Sequence, residues 1–169
     1  TSRSLRPRQS GITLPSRIHA VVLVSQLNEP TLKALSFARA IRPSSVTALR
    51  VDTSPERTAK LRRDWLARDI PVTLAVVTSH YRDLTAPVLG YLRAMPVGPR
   101  DVVQVFIPEY VVGHWGEQAL HNQSALRLKT RLLYMPGVMV TSVPYQLGSA
   151  EPYAEEAPGS DTAVAHVAG

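Results

Sequence analysis

The amino-acid sequence predicts an α/β fold, a doubly wound five-stranded parallel sheet with helices on both faces and strand order 3-2-1-4-5. Strand-like and helix-like segments alternate along the central part of the chain. The strand-like segments are near-continuous apolar runs, which is typical of parallel strands covered on both faces. The 169 residues are enough for one such domain with a substantial core.

The strands are predicted from short apolar and β-branched runs bounded by turn-forming residues. The first run begins after Pro15 and the fifth ends at Pro144. Proline lacks the N–H group that a central strand needs, so it is a suitable boundary. The predicted strands are Ile18–Val24, Val46–Val51, Val72–Val77, Asp101–Ile107 and Val138–Val143.

The helices are predicted from apolar residues at helical spacing that follow residues suited to a helix start. Asn28 is a suitable N-cap for the first helix, where Pro30 is tolerated in the first turn. Thr53 or Ser54 can cap the second helix, which has Pro55 at its first position. The predicted helices are Thr31–Arg42, Pro55–Arg68, Thr85–Met95 and Gln123–Tyr134.

The two ends of the chain differ in composition from its centre. Residues 1–15 are rich in arginine and turn-forming residues, which is typical of a solvated tail and also of a basic linker beside a membrane span. Residues 16–147 form the predicted domain, and residues 148–169 lack apolar periodicity, which predicts a flexible tail. The net charge is +6, but no basic stripe interleaves with aromatic residues, so we expect no nucleic-acid partner.

Several classes of function lack their sequence motifs. The chain has no cysteine, which excludes disulfides, thiolate metal sites and cysteine nucleophiles. It has no P-loop, no G-x-G-x-x-G after the first strand and no G-x-S-x-G elbow. No apolar run approaches the ~20 residues that a membrane-spanning helix needs. His80, His114 and His121 could meet around a metal, but Gly113 and Gly116 argue against the continuous helix that would place His114 and His121 on one face. We therefore predict no metal, and no catalytic residue or cofactor.

The segment Pro108–Lys129 carries the strongest functional signal, since it links the fourth strand to the last helix. Gly113 and Gly116 flank a histidine–tryptophan pair, and a polar triplet comes shortly before the helix. Paired glycines let the backbone approach a ligand closely, and a helix start offers N–H groups to an anion. Ligands of open α/β sheets bind beyond the carboxyl ends of the strands. This pattern favours a ligand-binding domain over an enzyme.

We expect the ligand to lie between three segments at that edge of the sheet. These are the loop Ser25–Asn28, the strand end Val51–Asp52 and the segment Glu109–Ser124, with Arg127 one helical turn further on. The alternative, favoured by the charge of Glu109, is that the site serves only as an interaction surface. The candidate ligand-binding residues are Ser25, Gln26, Leu27, Asn28, Val51, Asp52, Gly113, His114, Gly116, Asn122, Gln123, Ser124 and Arg127.

The order of elements, with G-x-x-G after the fourth strand, resembles the universal stress protein fold. Residues 15–52, 105–133 and 136–147 also resemble the cytoplasmic carboxyl-terminal domain of amino acid–polyamine–organocation permeases. The similarity is greatest to actinobacterial amino acid permeases and potassium–proton symporters of the KimA type. It covers residues 14–147, and its most specific element is HNQSALRLK at residues 121–129.

The resemblance implies a regulatory domain at the cytoplasmic face of the cell membrane, attached to the transmembrane core of a cation or amino-acid permease. KimA-type transporters are inhibited by cyclic di-AMP, which implies an adenine nucleotide ligand. Leu126 stands where ATP-binding stress proteins have glycine, which favours cyclic di-AMP over ATP. Related folds dimerise through the fifth strand, so we predict a homodimer through Val138–Val143. A free-standing, stress-protein-like nucleotide-binding protein and a small hydrolase remain the alternatives.

Overall fold

The computed structural model describes residues 14–81, 83–108 and 123–144. Strands and helices alternate along these residues, as the apolar patterns predict. The strands are β1 (Ile18–Leu23), β2 (Ser45–Asp52), β3 (Thr73–Thr78), β4 (Val102–Pro108) and β5 (Val138–Val143). The helices are α1 (Glu29–Ala40), α2 (Pro55–Ala67), α3 (Thr85–Ala94) and α4 (Gln123–Leu133).

The strands form one parallel sheet in the order β3-β2-β1-β4-β5. Val21 of β1 lies opposite Thr47 of β2 on one side and Val105 of β4 on the other. The direction of chain progression reverses between β1 and β4, which makes their carboxyl ends the topological switch point. The predicted fold class, strand order and pairing of the first and fourth strands are therefore confirmed.

Alternating side chains of the sheet divide the apolar core into two layers. Val21 lies in a cluster with buried residues of α3 and α4, such as Leu132. Val22 lies in the second cluster, with buried residues of α1 and α2, such as Leu61. β1 is buried on both faces over its last four residues, whereas the edge strands β3 and β5 are only partly buried. Both faces of the sheet are thus covered, most completely at its centre.

Helix α1 has its predicted cap but different ends. Asn28 is the N-cap, and its Oδ1 accepts a hydrogen bond from the backbone N–H of Thr31 at 3.1 Å. The helix begins at Glu29 and ends at Ala40, whereas the sequence predicts Thr31–Arg42. Arg42 has a φ angle of +51°, outside the helical region. Pro43 follows it, and a residue before proline is disfavoured in the helical conformation.

A polar cluster joins three strands at the amino edge of the sheet. Nδ1 of His19 lies 2.8 Å from Oγ of Ser45, and its Nε2 lies 3.2 Å from Oδ2 of Asp101. The same Asp101 oxygen accepts the backbone N–H of Gly98 at 2.9 Å. The bond from Gly98, followed by the bond from His19, holds the pKa of Asp101 below its ordinary value. The ionised carboxylate therefore fixes the turn before β4 to the start of β1.

The Asp101 cluster predicts a stability that depends on pH. A carboxyl whose pKa is lowered by folding stabilises the protein above its unfolded-state pKa, and this contribution is lost as pH falls through the folded-state pKa. We expect Asp101→Asn to lower the free energy of unfolding at pH 7, with a gap to the wild type that narrows below about pH 4. Urea unfolding at a series of pH values measures this. A gap that stays constant down to pH 3 would contradict the assignment.

Two adjacent leucines at the end of α4 test how that helix packs on the sheet. Leu132 is fully buried, whereas Leu133 is 67% exposed. We expect Leu132→Ala to lower the free energy of unfolding by about 2–5 kcal/mol, since it leaves a cavity in the core. The control Leu133→Ala should change it by less than about 0.5 kcal/mol. Equal losses in urea unfolding would show that α4 is oriented differently.

Candidate functional site

A cavity of about 380 Å³ lies at the carboxyl edge of the sheet, on the face covered by α1 and α2. Three segments form its walls: the loop between β1 and α1, the end of β2, and the beginning of α2. Its volume is within the range of small-molecule sites. The lining residues are Ser25, Gln26, Leu27, Asn28, Arg50, Thr53, Arg57, Lys60, Leu61 and Asp64.

The loop after β1 is held in place by hydrogen bonds at both of its ends. Oδ1 of Asn28 accepts from the backbone N–H and the hydroxyl of Thr31, at 3.1 and 2.9 Å. The Thr31 hydroxyl also lies 2.6 Å from the backbone carbonyl of Gln26. At the other end, the carbonyl of Ser25 accepts a hydrogen bond from Nη1 of Arg50 at 2.7 Å. This wall of the cavity is therefore preorganised, which lowers the entropic cost of binding a ligand.

Arg50 is a charged residue within a strand whose neighbours are apolar, and only 2% of it is exposed. It alternates with Leu49 and Val51, which face α3 and α4, so its own side chain lies on the α1 and α2 face. A buried charge is tolerated only when it is hydrogen-bonded. Nε of Arg50 donates to Oγ1 of Thr58 at 3.3 Å, and this hydroxyl donates to Oδ1 of Asp52 at 2.8 Å. These bonds connect β2 to α2 and hold the guanidinium at the cavity wall.

Helix α2 contributes a polar stripe to the cavity. Arg57, Lys60 and Asp64 are spaced three and four residues apart, which places them on one face of the helix, and the buried Leu61 lies beside them. Nζ of Lys60 is 3.5 Å from Oδ2 of Asp64, in an exposed pair that contributes little to stability. Ser54 is the N-cap but makes no side-chain capping bond. The amino end of α2 thus faces the carboxyl edge of the sheet without a side-chain cap.

The structure places the predicted site residues in different environments. The four residues of the loop 25–28 all line the cavity. Val51 is fully buried in the layer on the α3 and α4 face, and its side chain is therefore remote from this cavity. Asp52 is half-buried at the end of β2, where its carboxylate is bound by the hydroxyl of Thr58. Arg127 is exposed on α4.

The remaining candidates belong to the segment between β4 and α4. Gly113, His114, Gly116 and Asn122 lie outside the described residues. Gln123 and the serine after it form the first turn of α4, and only their backbone is described. Their role in ligand binding therefore stays a prediction.

Sequence reasoning missed the half of the cavity that β2 and α2 supply. One of the residues that it missed carried a detectable signal, since Arg50 is the charged member of a mainly apolar run. A second signal was the polar stripe at helical spacing in the segment that directly follows that strand. The cavity residues that the sequence did not indicate are Arg50, Thr53, Arg57, Lys60, Leu61 and Asp64.

Within residues 14–81, 83–108 and 123–144, no three His, Asp or Glu side chains lie close enough together to hold a metal ion. In the same ranges, none of the helices has both the length and the apolar character that crossing a bilayer requires.

The Thr58 hydroxyl is expected to stabilise the site because it bridges Arg50 and Asp52. Thr58→Val keeps the shape of the side chain but removes both hydrogen bonds, and we expect it to lower the free energy of unfolding by about 1–3 kcal/mol. Thr130→Val is the matched control, since Thr130 is an exposed threonine in helix α4. Urea unfolding distinguishes the two. Equal effects would mean that helix propensity, and not the bridge, determines the loss.

Comparison with known proteins places the whole described sheet within one family. The family described as the KimA potassium transporter C-terminal domain matches residues 17–145. The chain is also 27% identical over 128 residues to the potassium transporter KimA of Bacillus subtilis (strain 168), an alignment that covers 74% of this chain. It spans about a fifth of that relative's length, 21%. Because the family match extends over most of the chain, this protein belongs to the KimA potassium transporter C-terminal domain family.

Proposed function

We propose that this chain is the regulatory domain of a membrane permease and acts at the cytoplasmic face of the cell membrane. The observation that carries the proposal is the family match over residues 17–145, to a domain described as the carboxyl-terminal part of a potassium transporter. The alignment covers only 21% of the curated relative, which agrees with a domain attached to a larger transport core. Within the amino acid–polyamine–organocation superfamily, potassium is the favoured solute because the relative carries that name.

Regulation by this domain would be a shift between populations of the transporter. A ligand that binds one arrangement of the domain more tightly than another favours that arrangement, and the attached core follows it. No chemical step is needed for this, so the domain has no enzymatic role in the proposal. The preorganised cavity at the carboxyl edge is well suited to this kind of regulation. Its walls come from the β1 loop, β2 and α2, which a bound ligand would hold together.

An adenine nucleotide is the proposed ligand, with cyclic di-AMP favoured over ATP. The loop 25–28 would form one side of its site, and residues 109–124 the other. Two features support this position. The loop lies at the switch point between β1 and β4, where ligands of doubly wound folds bind. α4 begins at Gln123, so its amino end offers N–H groups near that edge.

Potassium uptake tests the regulatory role directly. The complete reading frame that encodes this chain would be expressed in cells lacking their own potassium transporters, with and without residues 16–147. We expect uptake from the complete protein and an altered response to the cellular nucleotide level after the deletion. Unaltered uptake and response in the deletion variant would contradict a regulatory role, and absence of uptake from the complete protein would contradict potassium transport.

Isothermal titration calorimetry of the 169-residue chain tests the ligand. We expect heat of binding with cyclic di-AMP and weaker or no heat with ATP and AMP, because Leu126 replaces the third glycine of the ATP-binding pattern. The absence of heat from all three compounds at millimolar concentration would remove the nucleotide proposal.

A homodimer through β5 is proposed as the state in which the domain works. β5 is an edge strand with a 54% exposed Met139, and such edges readily pair with another chain. The N–H of Val103 bonds to the carbonyl of Gly137. Since alternate residues of a parallel ladder bond to the neighbouring strand, the N–H groups of Val140 and Ser142 face away from β4. These groups are available to a second copy of the chain.

Sedimentation equilibrium tests the dimer with two variants at one position. Ser142→Pro removes the outward N–H and should convert the dimer to a monomer, whereas Ser142→Ala retains that group and should remain dimeric. Retention of the dimer by both variants would place the interface elsewhere, and a monomeric wild type at high concentration would contradict the proposal.

A further inference from the structure

The cavity between the β1 loop and α2 has the charge of an anion-binding site. Three cationic residues, Arg50, Arg57 and Lys60, line it together with one carboxylate, that of Asp64. The carboxylate is paired with Lys60, so it offsets one of these charges. Among the described residues, no carboxylate lies within ion-pair distance of Arg57. The excess of positive charge at the cavity favours a negatively charged ligand.

A buried hydroxyl in the cavity wall gives an independent indication of a ligand. Ser25 is 8% exposed, and it lines the cavity. Its Oγ is, within the described part of the chain, the buried side-chain atom that has no hydrogen-bond partner. Buried polar atoms of folded proteins are nearly always bonded, and an exception needs an explanation. A hydrogen bond to a ligand oxygen would satisfy this hydroxyl.

The amino end of α2 adds a third source of positive potential. Thr53 lines the cavity immediately before the helix, and the side chain of Ser54 makes no capping bond. The first N–H groups of a helix have no partner within it, and those of α2 begin at Glu56 because Pro55 has no N–H. A helix start of this kind attracts anions, and phosphate in particular. Arg57 lies in the same turn and can supply a bidentate contact.

We propose that this cavity binds the phosphate group of a phosphate-bearing ligand, with Arg57 and Lys60 contacting the phosphate oxygens. The buried charge of Arg50 and the hydroxyl of Ser25 support the same anion from the sheet side. Leu27 and Leu61 supply apolar surface for the rest of the ligand. The inference builds on the proposed function, because it identifies where a nucleotide's phosphate is held. It differs from the sequence prediction, which placed an anion at the start of the last helix.

A site for a phosphate group could bind either a nucleotide or a free inorganic anion. Isothermal titration calorimetry of the 169-residue chain would use inorganic phosphate, pyrophosphate, AMP, ATP and cyclic di-AMP at one fixed ionic strength. Nucleotides that bind more tightly than pyrophosphate identify a nucleotide site, and the reverse order identifies an inorganic anion site. Failure of all five to bind the wild-type chain would overturn the inference.

Two double variants on the same helix determine whether the cavity holds the anion. Arg57→Gln with Lys60→Gln removes two charges from the cavity, whereas Arg62→Gln with Arg63→Gln removes two from exposed positions outside it. All four positions are exposed, so both variants should fold. We expect the cavity variant to weaken binding by at least about tenfold and the control by less than about twofold. Equal weakening, or none, would overturn the inference.

A third variant tests the sheet side of the cavity. Ser25→Ala removes only the unbonded hydroxyl, and we expect it to weaken binding by about threefold to tenfold without loss of folded structure. Unchanged affinity would contradict the role of that hydroxyl. Nucleotide binding that is unaffected by all of these substitutions would reject the cavity while leaving the proposed function intact. Binding of pyrophosphate without binding of any nucleotide would support the cavity and remove the nucleotide as the proposed ligand.

Discussion

Burial of β1 on both faces is the constraint on which the rest of this domain depends. Four successive residues, from Ala20 to Leu23, are at most 1% exposed, so apolar helices must cover the strand from both sides. Parallel strands require crossover connections, and covering both faces requires the helices to be divided between them. In this domain, α1 and α2 cover one face of the sheet, and α3 and α4 cover the other. The loops that begin the helices therefore gather at the carboxyl edge.

The cavity depends on one position of β2, where a charged residue stands among buried apolar ones. Arg50 occupies a place in the layer under α1 and α2 where an apolar residue would otherwise pack. Its hydrogen bonds to the carbonyl of Ser25 and the hydroxyl of Thr58 join the β1 loop and α2 to the sheet. This buried cation thus contributes both to the shape of the cavity and to its charge. Two walls of the cavity are therefore connected to each other through the sheet.

The fold could be predicted from the sequence because each strand is an apolar run and each helix has apolar residues at helical spacing. Asn28 also marks the start of α1, since its capping role is visible in the sequence and is confirmed by the bond to Thr31. The end of α1 was harder to predict, because Arg42 adopts a left-handed backbone conformation. Arginine has no side-chain feature that indicates this conformation in the sequence. The sequence indicated only part of the cavity, the loop 25–28. Strand ends and loops indicate the carboxyl edge, but the face of the sheet on which a cavity opens depends on the packing of α2.

Chemical-shift mapping tests most directly whether the domain responds to a ligand at this cavity. Backbone amide spectra of the ¹⁵N-labelled 169-residue chain would be recorded during titration with pyrophosphate and with cyclic di-AMP. If the cavity holds the phosphate, the largest shifts will fall on residues 25–28 and 53–64, which contribute most of its lining. Largest shifts on α4 or β5, with these two segments unchanged, would contradict a phosphate site between the β1 loop and α2.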